Sequence, residues 1–348
     1  MSSKTRRYGI VAGVLIFALA GTGFLQEPTV TLGTNLVLVD AVVFHKKTGT
    51  PIGDLKREDF LLLDNGAKQE IIHFSREELP LSVVLLLDVS GSVQPIIDEI
   101  QRAALDALGK LKPEDKVALM IFANRPKLLL ELTTDRAAIT ERLENIWSES
   151  ADVGFATFIN LGIYEAARYV RRRTAPTERR AIIMVTDDID TSWFRGGPPR
   201  DVVLRELYEG GTTLCALLVG QKVAKALKAA DYGTTAAITV LNPGLGAAWI
   251  LFRLMRRGWA TTGLAQHYAR QTGGIAVGVR HEEVGKALVE LMGLLRTRYT
   301  LGYFPPAVTE GQFREIKLAV SERVKKEKGD LQVIARRGYI ARPAPASR

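Results

Sequence analysis

LSVVLLLDVSGS, residues 81–92, runs from continuous apolar sequence straight into aspartate, serine, glycine and serine. An unbroken apolar run of this length reads as a strand buried on both faces of a sheet. QPIIDEIQRAALDALGKL (94–111) follows it. There Ile96, Ile97, Ile100, Ala104, Leu108 and Leu111 recur at helical spacing, and Pro95 suits a first helical turn. The alternation continues outward. DKVALMIFA (115–123), RAIIMVTDD (180–188), TTLCALLVG (212–220) and IAVGV (275–279) read as strands. DRAAITERLENIW (135–147), NLGIYEAARYVRR (160–172), DVVLRELYEG (201–210), LAQHYARQTGG (264–274) and HEEVGKALVELMGLLRTR (281–298) read as helices. Strands alternating with helices predict an α/β fold with a doubly wound, mostly parallel sheet. Ligands of such sheets bind beyond the carboxyl ends of the strands.

The flanks change rhythm. TNLVLVDAVVFH (34–45) is strand-like, and DFLLLDNGAKQEIIHF (59–74) sets the hairpin signal Asn65-Gly66 between two apolar runs. YTLGYFP, FREIKLAVS and LQVIARRGYIA after residue 298 read as β again. Neither flank can bury a core alone, so the two are expected to form one smaller β-sandwich with the α/β domain inserted between them. The boundaries read as 28–77 for the first β segment, 78–298 for the α/β domain, 299–342 for the second β segment and 343–348 for a tail. Residues 221–262 break the α/β pattern as an insertion. Within it LGAAWILFRLMRRGW (245–259) reads as a helix packed on the body or a mobile segment, with a membrane-resting face (Arg253, Arg256 and Arg257) as the alternative.

Composition narrows the class. The chain has 348 residues, 47% hydrophobic and 24% charged, which excludes a disordered chain, a collagen-like fibre and a polytopic membrane protein. Lys and Arg total 47 against 38 Asp and Glu, a net charge of +9 spread along the sequence. That excess permits anionic partners without requiring them, and no nucleic-acid partner is expected. The one cysteine, Cys215, excludes an intrachain disulfide framework and the usual structural zinc sites. It is expected to be a buried, inert thiol. Arg171, Arg172, Arg173, Arg179 and Arg180 cluster at a helix end and read as a solvated face. At the start, Lys4, Arg6 and Arg7 precede the apolar run GIVAGVLIFALAGTGFL (9–25), the order of a secretory signal, so residues 1–27 read as a signal peptide or a retained membrane anchor. Basic residues before the run place the remainder in the periplasm or outside the cell.

The chemistry gathers where the first buried strand ends. Asp88, Ser90 and Ser92 put three oxygen ligands at alternate positions, with Gly91 among them, at a strand-to-helix transition. Such hard donors suit Mg²⁺, Mn²⁺ or Ca²⁺. This D-x-S-x-S after an apolar strand resembles the metal-ion-dependent adhesion site of von Willebrand factor type A domains. The resemblance adds Thr157, just before a helix in GFATFINLGIYEAA, and Asp187, at the end of a strand in IIMVTDDID. It implies a metal held by Asp88, Ser90, Ser92, Thr157 and Asp187, the hydroxyls coordinating directly and the aspartates directly or through water. The family commonly has Thr-Asp-Gly where this chain has Thr186-Asp187-Asp188; the extra aspartate alters the loop and adds charge beside the metal, while Asp190 and Ser192 are candidates to support it. Together with its flanks, the stretch from about residue 30 to 342, without 221–262, resembles a bacterial exported group labelled acidobacterial-type VWFA-related. That label implies a fold and a metal site, without an established activity.

The function this predicts is cation-mediated protein binding without catalysis. A partner's Asp or Glu would complete the coordination of the metal, and the membrane would be a further partner if residues 9–25 stay uncleaved. A structural envelope scaffold with a non-functional metal site is the alternative, and a metal-dependent hydrolase the third reading. Phosphatases with an aspartyl nucleophile need a second acid two residues on, where this chain has Ser90. No phosphate-binding P-loop and no G-x-S-x-G elbow is present. His45, His73, His267 and His281 show no ligand or triad spacing and read as ordinary residues.

Overall fold

The computed structural model describes residues 36–76, 80–93, 97–108, 111–175, 178–190, 197–219, 263–306 and 309–341. The signal or anchor segment, Ser192 and the 221–262 insertion, with its 245–259 stretch, lie outside the described residues. No helix among the described residues is long and apolar enough to cross a membrane.

In chain order the strands are β1 (Val37–His45), β2 (Phe60–Asp64), β3 (Ala67–Gln69), β4 (His73–Ser75), β5 (Leu81–Asp88), β6 (Lys116–Phe122), β7 (Pro126–Thr133), β8 (Arg179–Thr186), β9 (Thr213–Leu218), β10 (Ala276–Gly278), β11 (Tyr299–Tyr303), β12 (Phe313–Val320), β13 (Leu331–Ala335) and β14 (Gly338–Ile340). The helices are α1 (Ile97–Leu108), α2 (Arg136–Glu144), α3 (Ile146–Ser150), α4 (Ile159–Arg173), α5 (Arg200–Gly210), α6 (Leu264–Thr272), α7 (Val284–Arg296) and α8 (Glu322–Lys328).

The central sheet has the order β10-β9-β8-β5-β6-β7. All its pairings are parallel except β6 with the edge strand β7. Strand β5 is buried along its whole length, and its side chains alternate between two cores. Val83, Leu85 and Leu87 pack with Ile97, Ile100, Leu288 and Leu291 of α1 and α7. Val84 and Leu86 pack with Ile159, Ile163, Val203 and Tyr268 of α4, α5 and α6. A two-residue side-chain period between two helical layers explains why the run carries no polar alternation. From β5 the chain runs to β6 on one side and later to β8 on the other. The crevice beyond the carboxyl ends of β5 and β8 is therefore the switch point of the sheet.

The flanking strands combine across the sequence. One antiparallel sheet has the order β13-β1-β11-β4 and the other β14-β12-β2-β3, so each takes strands from both flanks. Between them lies a third core, with Val39, Val43, Leu62, Tyr299, Leu301, Tyr303 and Ile316 buried. Asn65 (φ 47°) and Gly66 (φ 82°) turn β2 into β3 with the paired positive φ values of the hairpin turn read from the sequence.

Three features depart from the sequence reading. Strand β7 lies in a segment to which the sequence reading gave no element; it is partly exposed along its length, as an edge strand is. Helix α8 stands in a tail read wholly as β; Ser321 caps it by accepting from the Val324 N–H, and only Val324 of it is buried. The five arginines read as one solvated face are split. Arg171 pairs with Glu206, and Arg173 with Glu131. Arg179 and Arg180 are buried, because the first two residues of β8 lie under other elements: Arg180 donates to the carbonyls of Gly210, Thr174 and Ala175. Cys215 is buried in β9, and burial pushes its thiol pKa up.

Candidate metal centre

Three loops meet at the carboxyl edge of the central sheet. The first follows β5. Asp88 is fully buried at its base, and its Oδ1 accepts from the Ser90 N–H at 2.9 Å. Its Oδ2 accepts from Thr186 Oγ1 at 2.6 Å, which ties the loop to the end of β8. Ser90 Oγ is buried and stands 3.3 Å from Ser92 Oγ, on a residue exposed to solvent. The second loop precedes α4. The Gly91 N–H donates to the Phe155 carbonyl at 3.1 Å, and Thr157 two residues on is buried. The third follows β8 and carries the half-buried Asp187, whose Oδ1 accepts from the Ile189 N–H. Asp190 Oδ1 accepts from the Ile159 N–H at 3.2 Å and so joins this loop to the start of α4.

The structure thus places Asp88, Ser90, Ser92, Thr157 and Asp187 on three adjoining loops. Asp88 and Asp187 are close enough that the second charge raises the pKa of the first. Burial is the larger cause, and together they push Asp88 up to about 6 against its hydrogen bonds from Ser90 and Thr186. The floor is formed by the buried Asp88, Ser90 and Thr157, the open side by Ser92 and Asp187.

Asp188 has its own explanation. It adopts the left-handed conformation, φ 57°, which glycine favours and aspartate tolerates better than most residues. Its backbone N–H donates to Thr186 Oγ1, while its Oδ1 accepts from the Ala265 N–H at 3.0 Å in the first turn of α6. The carboxylate therefore caps a helix. A Cβ on Gly263 would fall 1.4 Å from Asp188 Oδ2, so the approach requires glycine there. Burial, with the neighbouring charges of Asp187 and Asp190, pushes Asp188 up to about 6.

The sequence reading missed Asn124, two residues after β6 at the same edge. Its Oδ1 accepts from the Ala156 N–H at 2.7 Å, and its own N–H donates to the Val153 carbonyl. Gly154 (φ 91°) passes so near that a Cβ would meet Asn124 Oδ1 at 2.3 Å. Asn124 thus shapes the loop that carries Thr157. The available signal was a polar residue just after a buried strand. Thr186, quoted only as part of the loop motif, is the hydroxyl that joins Asp88 to Asp188.

These residues fit a hard divalent cation. The donors are hydroxyls and carboxylates. Neighbouring ligands in an octahedral shell at ~2.1 Å stand ~3 Å apart, close to the separation of the two serine hydroxyls. Among the described residues no three His, Cys, Asp or Glu side chains gather as a metal-holding group, so a cation here would depend on Ser90, Ser92 and Thr157.

Residues 83–189 match the family model of the von Willebrand factor type A domain. The chain contains a type A domain. Its central sheet extends past the matched residues through β9 and β10. A protein of Synechocystis sp. is 34% identical over 94 residues, 26% of this chain. One from Borreliella burgdorferi is 24% identical over 132 residues, 36% of this chain. The matches span only 22% and 37% of those two relatives. Among solved structures, an aerotolerance-related membrane protein from Bacteroides fragilis is 20% identical, with a TM-score of 0.41 over 61% of this chain and 98% of that one.

Proposed function

We propose that this is an exported protein whose type A domain binds a protein partner through a divalent cation held by Asp88, Ser90, Ser92, Thr157 and Asp187. The observation that carries the reading is the pair of serine hydroxyls 3.3 Å apart over the buried Asp88, on a loop hydrogen-bonded to the Thr157 loop. Mg²⁺, Mn²⁺ or Ca²⁺ would supply an electrophilic centre that attracts a carboxylate from the partner. Asp88 has both oxygens engaged by Ser90 and Thr186, so its part is to fix the two loops and hold negative charge beneath the hydroxyls. Ser92 and Asp187, on the open side, face an incoming acidic side chain. Export rests on the basic residues and apolar run at 4–25.

The test is capture from envelope extract by the immobilised full chain in Mg²⁺ and in EDTA, with Ser90→Ala/Ser92→Ala beside it. A partner released by EDTA and absent from the variant is expected. Equal capture in all three conditions contradicts the proposal and favours a metal-independent scaffold.

A further inference from the structure

Three of the six exposed large apolar residues among the described residues gather at one end of the sheet β13-β1-β11-β4: Leu36, Ile72 and Phe304, exposed to 40%, 42% and 47%. Leu36 directly precedes β1, Ile72 directly precedes β4 and Phe304 directly follows β11. Val37 pairs with Tyr303, which sets Leu36 opposite Phe304. The Ile72 N–H donates to the Gly302 carbonyl at 2.9 Å. Gly302 lets the group close up: a Cβ there would meet His73 Cβ at 2.9 Å and side-chain carbons of Leu36 and Leu38 at 3.1 and 3.2 Å. Further along, the same face of the sheet is covered by the type A domain. Val42 and Phe44 pack into the core that holds Leu85 and Ile97, while Asp40 and Thr300 meet Arg179. By the two-residue period of a strand, Leu36, Leu38, Gly302 and Phe304 continue this face beyond that cover. Arg179 opens β8, so the junction lies at the end of the central sheet opposite the metal centre.

A contiguous apolar patch left in solvent marks a contact surface. Ten residues, 26–35, separate Leu36 from the apolar run at 9–25. Even fully extended they reach about 40 Å at most. We propose that the patch of Leu36, Ile72 and Phe304 rests on the lipid bilayer, as a second contact beside the anchor; this rests on reading 9–25 as a retained anchor. The apolar area is on the order of a few hundred Å², well short of the ~800 Å² per partner that a stable dimer buries. A tethered surface needs far less, because the anchor keeps it at high local concentration against the membrane. Leu, Ile and Phe side chains enter the boundary between head groups and acyl chains, and their binding grows with the apolar area inserted. Resting on this patch turns the metal centre away from the bilayer, toward a partner.

The experiment uses the full chain in phosphatidylethanolamine–phosphatidylglycerol vesicles. Cys215 is buried, so a cysteine placed at the exposed His73, beside the patch, takes a thiol-reactive fluorophore selectively. Vesicle flotation is read first, then quenching of the fluorophore by lipids brominated on the acyl chain near the head group. His73→Cys is expected to lose emission about twofold or more in brominated vesicles, and a label at Glu144→Cys, on the exposed side of α2, to lose none. Adding Leu36→Glu/Ile72→Glu/Phe304→Glu is expected to abolish the quenching at residue 73 while the chain still floats; should that variant misfold, Phe304→Glu alone is expected to weaken it. A chain that does not float removes the anchor, and the proposal with it. A chain that floats with residue 73 unquenched, with equal quenching at 144, or with quenching undiminished by the glutamates overturns the proposal and leaves the anchor standing.

Discussion

The two ends of the central sheet hold charge in opposite ways. At the carboxyl end, oxygen ligands are gathered on loops, partly open to solvent, with a buried carboxylate beneath them. At the other end, buried guanidiniums lie under the β1/β11 layer, pinned to backbone carbonyls and Asp40. The difference follows from connectivity. Loops leaving parallel strands at the switch point diverge and leave a crevice. The opposite end is where the antiparallel strands enter and leave the type A domain, and it is sealed by packing. One end is suited to exchange a ligand, the other to join two layers.

Arg179→Ala tests that division with the largest effect. It removes the hydrogen bonds to Leu295, Arg296 and Thr300 and leaves Asp40 without its ion pair, so a loss of about 3 kcal/mol is expected in denaturant unfolding. Metal affinity of the folded protein should be unchanged. A loss below about 1 kcal/mol would show that the junction does not join the layers as described.

Asp188→Ala comes next, with an expected loss of about 1–3 kcal/mol from the α6 cap and from placing alanine at φ 57°. Asp188→Asn keeps the acceptor, tolerates the same backbone and should sit near wild type. Equal losses in the two variants would mean that charge, and not the cap, is what the position needs.

Glu290, on α7, lies away from both ends. Burial, with Glu283 nearby, pushes it from its ordinary 4.5 to about 7, and its oxygens have no hydrogen-bond partner among the described residues. Between those two pH values the native state keeps a proton that the unfolded chain has lost, so stability falls as pH rises through that window. The residue is only half-buried, which reduces the effect to about 1 kcal/mol. Glu290→Gln should therefore match wild type at pH 4.5 and be the more stable by that amount at pH 8. A constant difference at both pH values would contradict this.

Phe155, 77% exposed beside the Gly91 contact, gives the smallest effect. Phe155→Ala should change stability by less than about 0.5 kcal/mol. A larger loss would mean that the open side is more tightly packed than its exposure indicates.

Much of this architecture was legible before the fold was seen. Strand β5 could be read because both of its faces are buried, which writes an unbroken apolar run, and the D-x-S-x-S that follows it marked the switch point. Strand β7 was missed although Leu128, Leu129, Leu130 and Leu132 give it an apolar signal; as an antiparallel edge strand following β6 directly, it breaks the strand–helix alternation that the reading followed. Arg179 and Arg180 misled for another reason: Arg179 is held by α7 and β11, and Arg180 by the Gly210 carbonyl of α5 as well as the nearby Thr174 and Ala175 carbonyls, and local charge patterning reveals neither. Asp188 looked like damage to the loop motif. Its role appears only when Ala265, 77 residues later, is brought to its carboxylate. Asn124 was missed because one polar residue after a strand resembles any loop residue until its acceptor is seen aimed at the Ala156 N–H.

The central claim is that the hydroxyl-rich end holds a divalent cation. Isothermal titration of the full chain with Mg²⁺ and Mn²⁺, wild type against Ser90→Ala/Ser92→Ala, tests it most directly. The account predicts saturable one-site binding in the wild type that the double variant loses while its unfolding midpoint stays within a few degrees. Binding that survives in the variant, or none in the wild type even with an added aspartate-containing peptide, would contradict it.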